Sequence, residues 1–264
     1  MKIFLNSLGS LIYPQSCLGC HGLISKSDER ESKSGFTTSP EFCKKCRGAL
    51  QLDVKTQKRD GLQILSSLPY TPQVSRVILA AKEDNNLIAR NWLAQVMQKA
   101  VFVTKFLATA TSEIILVPIP SRSTANRSRG YLHTQLLAES LVRKLSATVE
   151  GEGIKFRVSN ILVHTHRVRD QTKLSAFARS KNMHDSMKVI ANSRIYSSRL
   201  GDGELRKQMY EPILIEGKVN HFLIDDLVTT GSTLAAAKST LMNHGIEVTG
   251  AICAASRLDS RDFF

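Results

Sequence analysis

The sequence predicts an α/β protein built on a parallel sheet, with a small cysteine-bearing unit ahead of it. Three observations lead there. Short apolar runs of strand length alternate with longer stretches of helical periodicity from residue 114 onward. The connections carry whole helices, as parallel strands require. Four of the five cysteines fall within the first 46 residues, in two Cys-x-x-Cys pairs, apart from the alternating region.

Size and composition are consistent with this. A chain of 264 residues with 42% apolar side chains suffices for one large domain with a smaller attachment, and 22% charged residues do not suggest disorder. The longest apolar runs, such as Val77–Ala81 and Ile114–Val117, fall far short of the ~20 residues a membrane span needs. The segment MKIFLNSLGSLIY is interrupted by Asn6, Ser7 and Ser10 and has no small-residue cleavage site, so a cytoplasmic location is expected. The 36 Lys+Arg against 23 Asp+Glu give a formal charge of +13. That excess suits polyanions, either nucleic acid or phosphate-bearing metabolites.

The first element is the cysteine unit, residues 1–55. Cys17 and Cys20 form one pair, Cys43 and Cys46 the other, with 22 residues between that are rich in Ser, Lys, Glu and Gly and low in apolar side chains. Each Cys-x-x-Cys is a tight turn presenting two sulfurs on one side, and two such turns suit a tetrahedral zinc ion. Four protein ligands leave no open position, so the expected role of zinc is structural. Alternatives exist for the same residues. Disulfides fit poorly in a reducing cytosol. A redox pair would open a helix after a strand, which neither pair does. Cys17-Leu-Gly-Cys20-His21 is formally a haem c attachment string, which would need export. Cys253, in AICAA, reads as a buried small apolar residue.

Residues 56–264 form the main domain. Residues 56–110 read as a helical lead-in, with two helices broken near Glu83–Asn86 and Trp92 in the core. Ile114–Pro118 is a buried strand. Residues 127–147 place Leu132, Leu136, Leu137, Leu141 and Leu145 on one helical face. Ile161–His164 is strand-like, and residues 190–217 read as a loop insertion. Val219–Ile224 is a second buried strand, Thr230–His244 a helix ended by Gly245, and Ile246–Ala254 a final strand. His164 and His166 flank Thr165 at a strand end, where proton transfer or a bland strand-end or phosphate-facing role would suit them.

The most informative stretch is HFLIDDLVTTGSTLAAAKSTL, residues 221–241. An apolar strand runs into Asp225-Asp226, and Thr229-Thr230-Gly231-Ser232-Thr233 then opens a helix. Free N–H groups at a helix N-terminus suit a phosphate, Gly231 permits close approach, and the hydroxyls add donors. Two carboxylates would repel that phosphate. They make sense as acceptors for sugar hydroxyls one ribose away, or near a bound Mg²⁺. A bland reading, an N-cap cluster beside a solvated acidic pair, needs only the Ser/Thr residues and not this order.

This segment resembles the phosphoribosyl pyrophosphate (PRPP) motif of type I phosphoribosyltransferases. VPIPSRSTANRSRGYLHTQLLAESL (117–141), HRVRDQTKLSAFARSKN (166–182), PYTPQVSRVILAAKE (69–83) and the paired cysteines together are similar to the ComF family, associated with bacterial DNA uptake. The resemblance implies a type I phosphoribosyltransferase-like parallel sheet flanked by helices, with a zinc-ribbon-like N-terminal unit. It implies that Mg²⁺-PRPP binds, that Asp225 and Asp226 hold the ribose, and that Thr229, Thr230, Gly231, Ser232 and Thr233 hold the 5-phosphate. The loop after the first strand, Pro118–Arg122 with Ser121 and Arg122, would meet the pyrophosphate alongside Arg127 and Arg129. Arg167 and Arg169, with Lys173, would sit on a second loop closing over it. Leu132 stands where the family has Asn or Asp.

Two functions follow from the resemblance. One is phosphoribosyl transfer to a nitrogen acceptor, not by a glutamine-dependent amidophosphoribosyltransferase, since the chain starts Met1-Lys2 and lacks the N-terminal nucleophilic cysteine. The other is a non-catalytic accessory role in DNA uptake, binding single-stranded DNA or a helicase-like partner. Residues 119–182 hold 12 Lys+Arg and 4 Asp+Glu. Only Tyr131 and Phe177 lie in the basic segments, thin for base stacking.

Overall fold

A computed structural model describes residues 16–24, 41–107, 113–121, 129–148, 154–165, 187–190, 194–197, 207–209 and 219–257. The first regular element is α1 (Lys44–Ala49), followed by strands β1 (Lys55–Arg59) and β2 (Leu62–Pro69). Next come α2 (Pro72–Glu83), α3 (Leu87–Thr104), β3 (Glu113–Pro118), α4 (His133–Thr148) and β4 (Lys155–Ser159). The short strands β5 (Leu162–His164), β6 (Met187–Val189), β7 (Arg194–Ser197) and β8 (Lys207–Met209) precede β9 (Val219–Val228), α5 (Ser232–Met242) and β10 (Val248–Ser256).

The main sheet runs β1-β2-β10-β9-β3-β4-β7-β8. Its centre, β2-β10-β9-β3-β4, is parallel, and antiparallel strands finish each side. The parallel α/β expectation therefore holds. Two local expectations change. The helical lead-in begins with the β1–β2 hairpin, turned by Asp60 (φ 47°) and Gly61 (φ 69°), the left-handed pair that a two-residue hairpin needs. Residues 190–217, expected as a loop, contain β7 and β8, which extend the sheet.

Helix ends follow local chemistry. Thr71 caps α2 by accepting from Val74 N at 3.2 Å, with Pro72 in the first turn. Asn86 caps α3 through Ala89 N at 3.0 Å, so the break falls where the sequence placed it. One sheet face packs on α2, α3 and α4 through Leu65, Leu116, Phe222 and Ile224. The other packs on α5 and the β5–β6 hairpin through Leu223, Leu234 and Leu241. On α4, Leu137, Leu141 and Leu145 are buried as expected, but Leu132 is 43% exposed. The polar His133 and Thr134 take the buried positions at the helix start instead. No helix among the described residues is long and apolar enough to cross a membrane.

The cysteine unit shares the first core. Cys17, Phe42, Cys46 and Leu50 belong to the same buried cluster as α2 and α3. Phe42 meets Trp92 edge-on, with ring centroids 4.9 Å apart. Arg76 on α2 donates to the Gly19 carbonyl at 3.0 Å, tying the first cysteine turn to the helix.

Candidate functional site

The strand order places one crevice for binding. From the β3–β9 boundary, β3 leads outward to β4 through α4 on one face, while β9 leads the other way to β10 through α5 on the opposite face. Such a reversal opens a gap at the carboxyl ends of the strands, where ligands of α/β sheets bind. The last β3–β9 partners are Pro118 and Ile224. Beyond Ile224, β9 pairs only with β10, through Asp225, Leu227 and Val228. Asp225 and Asp226 therefore stand just past the end of β3, beside Ile119–Ser121, the start of the expected pyrophosphate loop. Ile119 N donates to Ile224 O at 2.9 Å and holds the two loops at one level.

Strand alternation sends the two carboxylates to opposite faces of the sheet. Asp226 follows Phe222 and Ile224 to the α2–α4 side and is 4% exposed. Its Oδ2 accepts from Lys82 Nζ at 3.0 Å and lies 3.5 Å from His133 Nε2. Asp225 follows Leu223 to the α5 side and is partly exposed. Its Oδ1 accepts from the Asp226 amide at 2.9 Å. The electrostatics differ accordingly. Burial raises the affinity of Asp226 for a proton, but the His133 ring and the Lys82 ammonium outweigh it and hold the carboxyl well below the usual range. Asp225 is pushed the other way, first by burial and then by the charge of Asp226.

Lys82 and His133 had no site role in the sequence reading. Lys82 ends an Ala-rich helix, and nothing local distinguishes it from a solvated lysine. His133 is fully buried, with Nδ1 3.2 Å from the Ala81 carbonyl. The segment before α4 grips the end of α2 at alternate residues. Arg129 forms a two-pronged pair with Glu83 at 2.6 and 2.8 Å. Tyr131 Oη donates to the Lys82 carbonyl at 2.6 Å and accepts from Asn85 N at 2.9 Å. Arg129, expected at the pyrophosphate, is thus engaged with α2 here.

The Thr-Thr-Gly-Ser-Thr loop, expected to meet a 5-phosphate, follows β9. Gly231 sits at φ 81° and precedes α5 without a side-chain cap. Thr230 Oγ1 and Ser232 Oγ lie 2.8 Å apart, and Thr229, Thr230 and Ser232 are exposed. Gly231 gives this eleven-residue helix no side-chain cap, Ser232 N meets Thr230 Oγ1 only at 3.4 Å, and such a first turn suits an anion. Arg257 N donates to Val228 O at 2.9 Å and fixes the loop's near end. Ser121 lies at the crevice, partly exposed. Arg122, Arg127, Arg167 and Arg169, with Lys173 and His166, lie outside the described residues.

The four N-terminal cysteines come together, their Sγ atoms all within 4.8 Å of one another. Cys20 and Cys43 are 3.7 Å apart, close to the ~3.8 Å edge of a tetrahedron with ~2.3 Å Zn–S bonds. All four are free thiols, and Cys43 N donates to Cys17 Sγ at 3.3 Å, a contact that favours a thiolate. The donor set and its spacing fit one zinc ion. Cys253 is buried on β10, opposite Asp225 in the register.

No protein-family model matches the chain. Among curated proteins it is similar to the adenine phosphoribosyltransferase of Corynebacterium jeikeium (strain K411), 41% identical over 69 residues. The match covers 25% of this chain and 33% of the relative, so the chain spans about a third of the length of the curated protein it matches. Together with the mixed, mostly parallel sheet flanked by helices, this similarity supports a type I phosphoribosyltransferase-like fold.

Proposed function

We propose that the β3–β9 crevice binds Mg²⁺-PRPP and transfers its phosphoribosyl group to a nitrogen acceptor. One observation carries the reading. At a single topological switch point, a half-buried acidic pair stands one loop away from a helix N-terminus opened by Thr-Thr-Gly-Ser-Thr. An acidic pair excludes a phosphate from its own position and accepts sugar hydroxyls, while the helix N-terminus takes the 5-phosphate. The loop beginning at Ile119–Ser121 is then the place for the pyrophosphate.

In the reaction the bond from the anomeric carbon to pyrophosphate breaks, with its electron pair leaving on pyrophosphate. A carbon–nitrogen bond forms and the nitrogen gives up a proton. The protein's share is positioning and neutralisation of the leaving charge, for which Arg122, Arg127, Arg167 and Arg169 are the residue types required. Mg²⁺, bound with the substrate, would shield the pyrophosphate oxygens. Isothermal titration with PRPP and MgCl₂ tests the reading. Binding by the wild-type protein, lost in Asp225→Asn, is expected; no binding by the wild type overturns it.

The excess of eight positive charges in residues 119–182 favours a second reading, a ComF-like accessory of DNA uptake that contacts single-stranded DNA through its phosphates. Its test is a salt series. Affinity must fall steeply with ionic strength, and an affinity indifferent to salt overturns it.

A further inference from the structure

We infer that the acidic pair divides its labour: Asp225 alone meets the ligand, and Asp226 is the buried anchor of a Lys82–Asp226–His133 clamp that positions it. The inference rests on the crevice being the ribose site. Asp226 is 4% exposed and faces the α2–α4 core, with Lys82 Nζ at 3.0 Å and His133 Nε2 at 3.5 Å from one oxygen. A carboxylate so enclosed has little surface left for a sugar hydroxyl. Asp225 is the accessible member, and its Oδ1 is held by the amide of Asp226 itself. Any shift of Asp226 would therefore move the group that orients Asp225.

The clamp is itself braced. The His133 ring meets the Ala81 carbonyl, one residue before Lys82, at 3.2 Å. Tyr131 seizes the Lys82 carbonyl, and Arg129 seizes Glu83. Residues 129–133 thus lock the end of α2 against the crevice. Lys82 and His133 are positioning residues, acting on the ligand only through the acidic pair.

Charge-balanced substitution separates the roles. Titration of Mg²⁺-PRPP is compared among wild type, Asp225→Asn, Asp226→Asn, Lys82→Met, Lys82→Arg and the double variant Lys82→Met/Asp226→Asn, with melting temperatures measured alongside. Asp225→Asn should lose binding by about 100-fold with no fall in its melting temperature, since two hydroxyl hydrogen bonds to a charged acceptor are lost. Lys82→Met should weaken binding about tenfold, Lys82→Arg should restore most of it, and the double variant should bind within about fivefold of wild type. A double variant that melts like wild type yet binds as poorly as Asp225→Asn overturns the inference, because Asp226 then contacts the ligand itself. If the wild type binds no PRPP, the ribose reading fails separately. The stability cycle then decides the clamp: a double variant that melts above both Lys82→Met and Asp226→Asn upholds it, and additive losses overturn it.

Discussion

Lys82, at the end of α2, and Asp226, near the end of β9, are 144 residues apart in sequence and meet at 3.0 Å. The lysine side chain is 31% exposed and the carboxylate 6%. The pair is thus an asymmetric one, with a wet cation and a dry anion. Removing the wet partner leaves the dry one with only the His133 ring beside it, at 3.5 Å, and that cost exceeds the value of the intact pair. Lys82→Met is expected to destabilise the fold by about 2 kcal/mol in urea unfolding, a figure lowered from the fully buried case because solvent screens the lysine. Unchanged stability would mean the pair is not formed in solution.

The acidic residues should leave opposite marks on stability against pH. The folded-state affinity of Asp226 for a proton lies below its unfolded value of about 3.9, so its contribution is present above about pH 4 and lost as pH falls further. That of Asp225 is raised, so its contribution is present below about pH 4 and is lost as pH rises through its folded value. Asp226→Asn should therefore flatten the acid limb of a melting-temperature profile. Asp225→Asn should melt above wild type at neutral pH while losing the ligand, a trade of function for stability. Equal melting at pH 7 would contradict the strained charge assigned to Asp225.

Elemental analysis of protein purified without chelator should find about one zinc per chain, and Cys43→Ser should abolish it. Because Cys17 and Cys46 lie in the core shared with α2 and α3, stripping the metal should lower the melting temperature of the whole protein rather than unravel an appendage. A single transition, shifted as a unit, is the expected calorimetric result.

Two glycines are predicted to resist alanine for different reasons. A β-carbon at Gly19 would lie 3.0 Å from Cys46 Sγ and 3.1 Å from its β-carbon, so Gly19→Ala displaces a metal ligand and should cut zinc affinity at least tenfold. At Gly231 the nearest atoms are 3.8 and 3.9 Å away, so space is available, but φ is 81°. Gly231→Ala should cost about 1 kcal/mol from backbone strain alone and leave zinc content untouched. Competitive zinc titration and urea unfolding measure both.

What the sequence disclosed and what it withheld divide along local and distant information. The α2–α3 break was legible because Asn86 is a local cap, and the Asp225–Thr233 loop because strand, acids and glycine are contiguous. The β1–β2 hairpin was also within reach, since Asp60-Gly61 is a two-residue hairpin signal that the helical reading of residues 56–110 passed over. Lys82 and His133 were not legible, because a lysine at a helix end and a histidine at a helix start look the same whether solvated or clamped. Only the strand order, which brings α2 and α4 to the same face of β9, distinguishes the cases. Leu132 misled for a related reason: helical spacing includes it on the apolar face, but α4 begins one residue later.

Helix α2 touches the cysteine turn through Arg76 and the acidic strand through Lys82. Six residues at ~1.5 Å rise set a span of about 9 Å between these two attachments, and the ~100° step per residue sets their relative bearing. An insertion or deletion of one residue between them would swing one attachment away from its target. This stretch is therefore a gauge of fixed length inside a protein whose loops can lengthen freely. Across relatives that keep both the metal and the crevice, residue count in α2 should vary less than residue identity.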